Sequence, residues 1–239
     1  MDYLEAYVLH YTPLTQRKKF IIKNVKNSFL KLHFVEEHDR DVLKSEQIDK
    51  VYIKSKKEWE EKSEIYNNIK SDVSPKFREL TSGEISLILK HRKALELISN
   101  SSKDYGLVLE DDVVPVFAYK QKLKLLLRRK NDWDVLFIGL GIGKKFIKNK
   151  LNKKLLIPFK NYTLPTPSTN CTEAIIFKKE AAKKILKELN KITLPMDYEY
   201  AHIFNKFKLE IKITSTPIFY QGSKSYGMLK KSIYEETVR

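Results

Sequence analysis

The sequence predicts a single α/β domain in which helices flank a largely parallel central sheet. Three observations predict this fold class. Short apolar runs recur along the chain, most are followed by segments with helical spacing, and one run ends in three consecutive acidic residues. Strands that alternate with helices are typical of layered folds with parallel strands. The length of 239 residues suits one domain. We expect it to span residues 1–215, with residues 216–239 as a C-terminal extension completing one side of the functional site.

In the first third of the chain, predicted strands alternate with a predicted helix. Residues 6–10 are an apolar run that ends at a Thr-Pro breaker, which predicts a strand. Residues 16–30 carry apolar side chains at helical spacing, and residues 32–35 predict a second strand. Residues 36–80 are highly charged with weak periodicity, which predicts helical turns and loops.

The clearest helix begins after Thr81 and should end near Asn100. Thr81 and Glu84 have the spacing of a capping box, in which each side chain satisfies a backbone N–H group that the helix leaves unpaired. The remaining elements follow the same alternation. We expect strands at residues 105–109, 134–139, 173–177 and 210–214, and helices at residues 119–130, at residues 179–190 and from residue 195 onward.

Composition limits the classes of protein to consider. No stretch reaches the roughly 18 apolar residues that a membrane helix needs, and the first residues lack the order of a signal peptide. The single cysteine, Cys171, excludes an internal disulfide. These features predict a cytoplasmic protein.

The charge is large and unevenly spread. The net charge is +16, and residues 120–160 hold 13 Lys and Arg against two Asp, a local charge of +11. Such a segment attracts polyanions, including nucleic acid, anionic lipid and acidic glycans; the alternative is a set of solvated lysine-rich faces. Aromatic residues are not interleaved with the basic ones, so we expect no nucleic-acid partner. We expect residues 119–160 to hold the protein at the inner face of an anionic membrane.

The strongest local signal is the triplet Glu110, Asp111 and Asp112 at the end of an apolar strand. Adjacent carboxylates repel one another and lose hydration when buried, and a bound divalent cation removes that penalty. Mg²⁺ and Mn²⁺ prefer such oxygen ligands and often share a diphosphate with the protein. Carboxyl groups two residues apart lie on the same side of an extended chain, so Glu110 and Asp112 could share a ligand while Asp111 points away. The alternative is a solvated polar turn.

Several segments in one order resemble the motifs of a single enzyme family. They are residues 8–11 with Arg17, residues 80–91, residues 105–113, residues 174–182, residues 195–197, and the separate positions Pro217, Gln221 and Ser225. Together they resemble glycosyltransferase family 25, the lipopolysaccharide-type and collagen-type galactosyltransferases of GT-A fold. His10 stands where the family usually has asparagine, and Lys90 stands where it has serine.

The resemblance implies a nucleotide-sugar site and a metal. Asp112 and Glu110 would hold Mn²⁺ or Mg²⁺, and a UDP-sugar would be the donor. The residues that would bind this donor are His10, Thr12, Arg17, Glu84, His91, Glu110 and Asp111. Three of these positions have simpler alternatives: Glu84 as a helix cap only, His91 as a hydrogen-bonded packing residue, and Arg17 as a surface arginine.

Glycosyl transfer also needs a base that takes the proton of the acceptor hydroxyl. Asp197 is the first choice because it matches the family's proline-x-aspartate motif; Glu173 is second and Glu199 is third. The predicted function is metal-dependent, inverting transfer of a sugar, galactose being the family's usual one, to a glycan or lipid-linked glycan in surface-glycan biosynthesis. The alternatives are a basic nucleic-acid-binding protein or nucleotidyltransferase, and a glycosyltransferase-like protein that binds without catalysis.

Overall fold

The computed structural model describes residues 3–67, 76–128, 132–139, 161–164 and 171–222. Within them the strands are β1 (Leu4–Leu9), β2 (Leu30–Val35), β3 (Tyr105–Glu110), β4 (Val113–Pro115), β5 (Val135–Phe137), β6 (Asn161–Thr163), β7 (Ala174–Lys178), β8 (Ile211–Thr214) and β9 (Phe219–Gln221). The helices are α1 (Thr15–Asn24), α2 (Ser45–Asp49), α3 (Lys56–Asn67), α4 (Ser82–Asn100), α5 (Tyr119–Arg128), α6 (Lys179–Leu186) and α7 (Met196–Lys206).

The central sheet is mixed, which corrects the prediction of a largely parallel one. Its order is β2-β1-β3-β7-β5-β8-β6. β1 pairs in parallel with β2 and β3, and β5 pairs in parallel with β8. β7 is antiparallel to both β3 and β5, and β6 is antiparallel to β8. The predicted α/β class, a sheet flanked by helices in one domain, is confirmed.

The inner strands of the sheet are buried on both faces, which explains their unbroken apolar runs. Alternate residues of β3 belong to different cores: Val108 packs with residues of α4 and α7, and Leu107 packs with residues of α1 and α5. α4 lies close to β3 because Gly106 has no side chain, and a Cβ atom there would lie 2.3 Å from Ile98 Cγ1. The helix that precedes the acidic triplet is thus held against the strand that carries it.

Two helix boundaries differ from the predictions. α1 ends at Asn24 and not near residue 30, because the Asn27 side chain accepts hydrogen bonds from the Phe29 and Leu30 backbone N–H groups at 2.7 and 3.1 Å. This turn redirects Leu30 into β2. α6 ends at Leu186, four residues earlier than predicted. No helix among the described residues is long and apolar enough to span a bilayer.

A second sheet of two strands brings the end of the described chain to the acidic triplet. β4 is antiparallel to β9, with Val113 opposite Gln221. The Gly222 backbone N–H donates to the Asp112 carbonyl oxygen at 2.8 Å. The Gly222 contact helps to fix the loop that carries Asp112. Residues 223–239, which include Ser225, lie outside the described part.

Candidate active site

The three acidic residues occupy the carboxyl end of a strand in the middle of the sheet. Glu110 is the last residue of β3, and Asp111 and Asp112 form the turn before β4. Ligands of α/β sheets commonly lie beyond the carboxyl ends of strands. All three carboxylates border one cleft, but their contacts give them different roles.

Asp111 is a structural anchor. It is 7% exposed, and its Oδ1 accepts a hydrogen bond from Arg17 Nη1 at 2.7 Å. Its Oδ2 accepts from His10 Nδ1 at 2.9 Å and from the Tyr11 backbone N–H at 3.2 Å. Burial opposes ionisation, but the hydrogen bond from His10 and the charge of Arg17 prevail and lower the pKa of Asp111. Asp111 thus ties the end of β3 to the end of β1 and to α1.

The carboxyl groups of Glu110 and Asp112 repel each other. Burial, with the adjacent charge of Asp112 as the second cause, raises the pKa of Glu110 to about 8. The Thr172 hydroxyl donates to Glu110 Oε1 at 2.6 Å and partly opposes this rise. A cation between the two groups would relieve their repulsion, so their chemistry fits Mg²⁺ or Mn²⁺. Among the described residues there is no group of three or more His, Cys, Asp or Glu side chains that could hold a metal ion.

The cleft has two connected parts. We name the larger one the donor cavity and the smaller one the acceptor cavity, after the functions that we propose for them; the donor cavity has a volume of about 350 Å³. It is lined by Leu9, Tyr11, Leu14, Arg17, Arg40, Gly83, Ser86, Leu87, Lys90, Glu110, Asp111, Asp112 and Gln221. The acceptor cavity measures about 200 Å³ and is lined by Glu84, Leu87, Glu110, Cys171, Thr172, Pro195, Met196, Asp197 and Gln221. Leu87, Glu110 and Gln221 line both parts.

The cleft brings Asp197 and Glu84 to the same cavity as Glu110. Asp197 is the second residue of α7 and is partly exposed. The positive end of the helix dipole favours its ionised form. Glu84 closes the capping box of α4, accepting from the Thr81 backbone N–H at 2.9 Å, and it also binds Arg78 at 2.8 Å. The predicted capping role of Glu84 is confirmed, and its carboxylate borders the acceptor cavity as well.

The other two candidate bases are buried elsewhere. Glu199 is 1% exposed; it accepts from Lys62 Nζ at 2.8 Å and from the Leu194 backbone N–H at 2.9 Å. These contacts join α3 to the start of α7. Glu173 is 2% exposed and packs over Gly139, where a Cβ atom would lie 2.3 Å from Glu173 Oε1. Neither residue lines the cleft cavities described above.

His91 lies in the core and lines neither cavity. It is fully buried, and its Nδ1 lies 3.1 Å from the Tyr200 hydroxyl. Burial lowers its pKa to about 3, so the ring is neutral at physiological pH. This environment agrees with the alternative of a hydrogen-bonded packing residue. The contact between His91 and Tyr200 joins α4 to α7.

His10 and Thr12, the remaining residues predicted to bind the donor, belong to a hydrogen-bond network that includes residues lining the donor cavity. The His10 ring is fully buried on Asp111, and its backbone carbonyl accepts from Lys90 Nζ at 2.7 Å. Lys90 also donates to Asp39 Oδ1 at 2.7 Å, and Asp39 binds both the backbone and the hydroxyl of Thr12. Burial opposes the ionisation of Asp39, but Lys90 and Thr12 lower its pKa. Among His10, Thr12 and Arg17, only Arg17 lines the donor cavity.

Sequence reasoning missed several lining residues. Arg40 lies over the Tyr11 ring, 4.4 Å from its centroid, and both border the donor cavity. Thr172 reaches Glu110 from the segment before β7. The charged segment that contains Arg40 has no periodicity that could have revealed its position. For Thr172, the signal in the sequence was a hydroxyl side chain just before a buried strand.

The chain resembles several solved structures at low sequence identity. S. aureus TarS 1-349 is 15% identical, with 92% of this chain and 60% of that chain covered and a TM-score of 0.47. Mouse xyloside xylosyltransferase 1 is 11% identical, with 89% and 85% covered and a TM-score of 0.42. The galactosyltransferase LgtC, solved with donor and acceptor sugar analogs, is 10% identical, with 88% and 73% covered and a TM-score of 0.40. No curated protein sequence matches the chain.

The sequence itself matches a family over most of its length. The matching description is glycosyltransferase family 25 (LPS biosynthesis protein), and the match spans residues 4–200. That span contains the acidic triplet, the capped helix α4 and Asp197, the same features that build the cleft. The predicted GT-A-like fold class is in accord with this match. The chain belongs to glycosyltransferase family 25.

Proposed function

We propose that the protein is a metal-dependent, inverting glycosyltransferase that moves galactose from UDP-galactose to a hydroxyl group of a glycan in lipopolysaccharide or other surface-glycan biosynthesis. One observation carries the proposal: the carboxylates of Glu110 and Asp112 and that of Asp197 border two cavities that meet at Glu110. The family membership supports the reaction class. The family's usual donor sugar supports the choice of galactose.

The donor cavity has suitable groups for a nucleoside diphosphate. Glu110 and Asp112 would hold Mn²⁺ or Mg²⁺, which supplies positive charge to the leaving diphosphate. Arg17 and Arg40 line the same cavity and would add charge toward the phosphates. The Tyr11 ring borders it too and offers a face on which a base can stack.

The acceptor cavity has suitable groups for a sugar hydroxyl. Asp197 would accept the proton of the attacking hydroxyl as general base. Inversion needs one such base on the side opposite the leaving diphosphate. The lining combines the carboxylates of Glu84 and Asp197 with the apolar side chains of Leu87 and Met196. Carboxylates accept from sugar hydroxyls, and apolar side chains pack against the C–H face of a pyranose ring.

The basic segment suggests where the acceptor is met. α5 carries Lys120, Lys122, Lys124 and Arg128, while most of residues 129–160 lies outside the described part. We propose that this segment contacts anionic membrane at its cytoplasmic face, where lipid-linked glycans would be presented. Each basic residue near such a surface contributes about 1 kcal/mol, so a few contacts suffice for loose docking. Sedimentation with anionic and neutral vesicles at low salt tests this, and equal binding to both would contradict it.

Release of UDP tests the catalytic proposal. The purified chain is incubated with a panel of UDP-sugars, with Mn²⁺ or with chelator, alongside Asp112→Ala. We expect metal-dependent release of UDP from UDP-galactose that the substitution abolishes. Release from another UDP-sugar would correct the donor alone. No release from any UDP-sugar, with a broad mixture of sugar acceptors present, would overturn the proposal.

A further inference from the structure

A third cavity lies away from the donor and acceptor cavities. It has a volume of about 470 Å³ and shares no lining residue with them. It is lined by His38, Gln47, Lys50, Val51, Leu89, Arg92, Lys93, Glu96 and Asn190. We call it the basic cavity. It is formed where α4 meets the loop after β2, the end of α2 and the segment after α6.

The charge of its lining is positive. Lys50, Arg92 and Lys93 face a single acid of the lining, Glu96. The contacts that could neutralise them are long, since Arg92 Nε lies 3.5 Å from Glu96 Oε1 and Lys93 Nζ lies 3.9 Å from Glu37 Oε1. Lys50 lies on the exposed surface. Partly exposed pairs of this kind contribute little to folding stability, so the three cations can be replaced without loss of the fold.

The base of the cavity is apolar and its edge carries amides. Leu89 and Val51 are 6% and 8% exposed, and Gln47 and Asn190 line the same space. Apolar side chains pack against the C–H groups of a pyranose ring, amides hydrogen-bond with its hydroxyls, and the cations attract an anionic substituent. The combination differs from that of the acceptor cavity, where the charged lining residues are Glu84, Glu110 and Asp197.

We propose that the basic cavity is a second sugar site, which binds an anionic sugar through its phosphate or carboxylate group. The site is independent of the proposed transferase reaction. A short loop links it to the donor cavity: His38 lines the basic cavity, Arg40 lines the donor cavity, and Asp39 between them is held by Lys90. His38 has a φ of 69°, a left-handed backbone that non-glycine residues seldom adopt.

Calorimetric titration of the full chain tests the proposal. The probes are glucose, glucose 6-phosphate and glucuronate, and the titrations are made at low salt. A chelator removes divalent metal, so that the carboxylates of the donor cavity repel anionic sugars. The test variant combines Arg92→Gln and Lys93→Gln. The matched control combines Lys183→Gln and Lys184→Gln on α6, which removes the same charge from an exposed helix. Lys50→Gln is a separate single variant at an exposed position, and it tests the same cavity if the double variant misfolds.

We expect saturable binding of at least one anionic sugar and none of glucose. The double variant should weaken that binding by roughly tenfold, as loss of about 1.4 kcal/mol would do, while the control keeps it. Lys50→Gln should weaken it in the same direction. Preference for one anionic sugar identifies phosphate or carboxylate as the group recognised. Failure of both anionic sugars to bind, or an equal loss in the control, would overturn the proposal. Donor hydrolysis is not part of the readout, so failure here is distinct from failure of the transferase proposal.

Discussion

Arg17 and Asp111 form a buried ion pair, 2.7 Å between Nη1 and Oδ1, directly beside the residue expected to bind the metal. Both side chains are 9% exposed. The pair fixes the turn after β3, so that Glu110 and Asp112, the neighbours of Asp111, border the donor cavity. Adjacent residues of one motif thus differ in their contacts: Asp111 holds the backbone, and Glu110 and Asp112 are the residues proposed to bind the metal.

This division predicts opposite effects of two similar substitutions. Asp111→Asn should lower the free energy of unfolding by about 3 kcal/mol, because it leaves a buried arginine without its counter-charge. Asp112→Asn should leave stability unchanged or raise it, because it removes a charge that repels Glu110. Urea denaturation of both variants measures the difference. Equal losses of stability in the two would contradict the assignment.

Asp197 and Glu199 lie two residues apart and provide a matched test of the general base. Asp197→Asn should reduce turnover by roughly 10²–10⁴-fold with little change in donor binding, since only proton transfer is lost. Glu199→Gln should instead lower stability, because Lys62 loses its partner while the acceptor cavity is untouched. Turnover and the melting temperature are measured for both. If Asp197→Asn keeps most of its activity, the base is another residue.

Binding of metal and nucleotide should be cooperative. Under the proposed function, Glu110 and Asp112 would hold the metal together with oxygens of the diphosphate. Mn²⁺ with UDP should therefore raise the melting temperature by more than the sum of their separate effects. Uridine, which lacks the diphosphate, is the control and should show no such excess. Asp112→Ala should abolish the excess, and additive shifts in the wild type would contradict a shared site.

His91 predicts a loss of stability on acidification. Its pKa is about 3 in the folded chain, against an ordinary value of 6.5, because the ring is buried. Between these values the unfolded chain binds the additional proton, so the folded state loses stability as the pH falls below 6.5. The slope from this residue approaches about 1.4 kcal/mol per pH unit. Denaturation at several pH values should give a flatter dependence for His91→Gln, and an unchanged slope would contradict the buried neutral ring. The pKa values of His38 and His202 are also lowered mainly by burial. Both residues are present in the wild type and in the variant, so their contribution to the slope is the same in the two proteins.

Local signals in the sequence predicted the features that depend on neighbouring residues. The capping box of Thr81 and Glu84 and the strand that ends at Glu110 follow from side chains a few positions apart. The direction of β7 did not follow, because a fully buried strand shows the same apolar run whether its neighbours are parallel or antiparallel. The buried pair of Lys90 and Asp39 was also missed, since its members are 51 residues apart and a buried lysine cannot be recognised without its partner.

The pairing of β4 with β9 has a consequence for synthesis of the chain. The Asp112 loop is fixed through Gly222, and Gln221 completes both cavities of the cleft, so groups of the site come from nearly the whole length of the sequence. While residues 219–222 are still inside the ribosome, β4 has no partner and the cleft lacks one wall. A nascent chain therefore cannot assemble the complete cleft before residues 219–222 have been released.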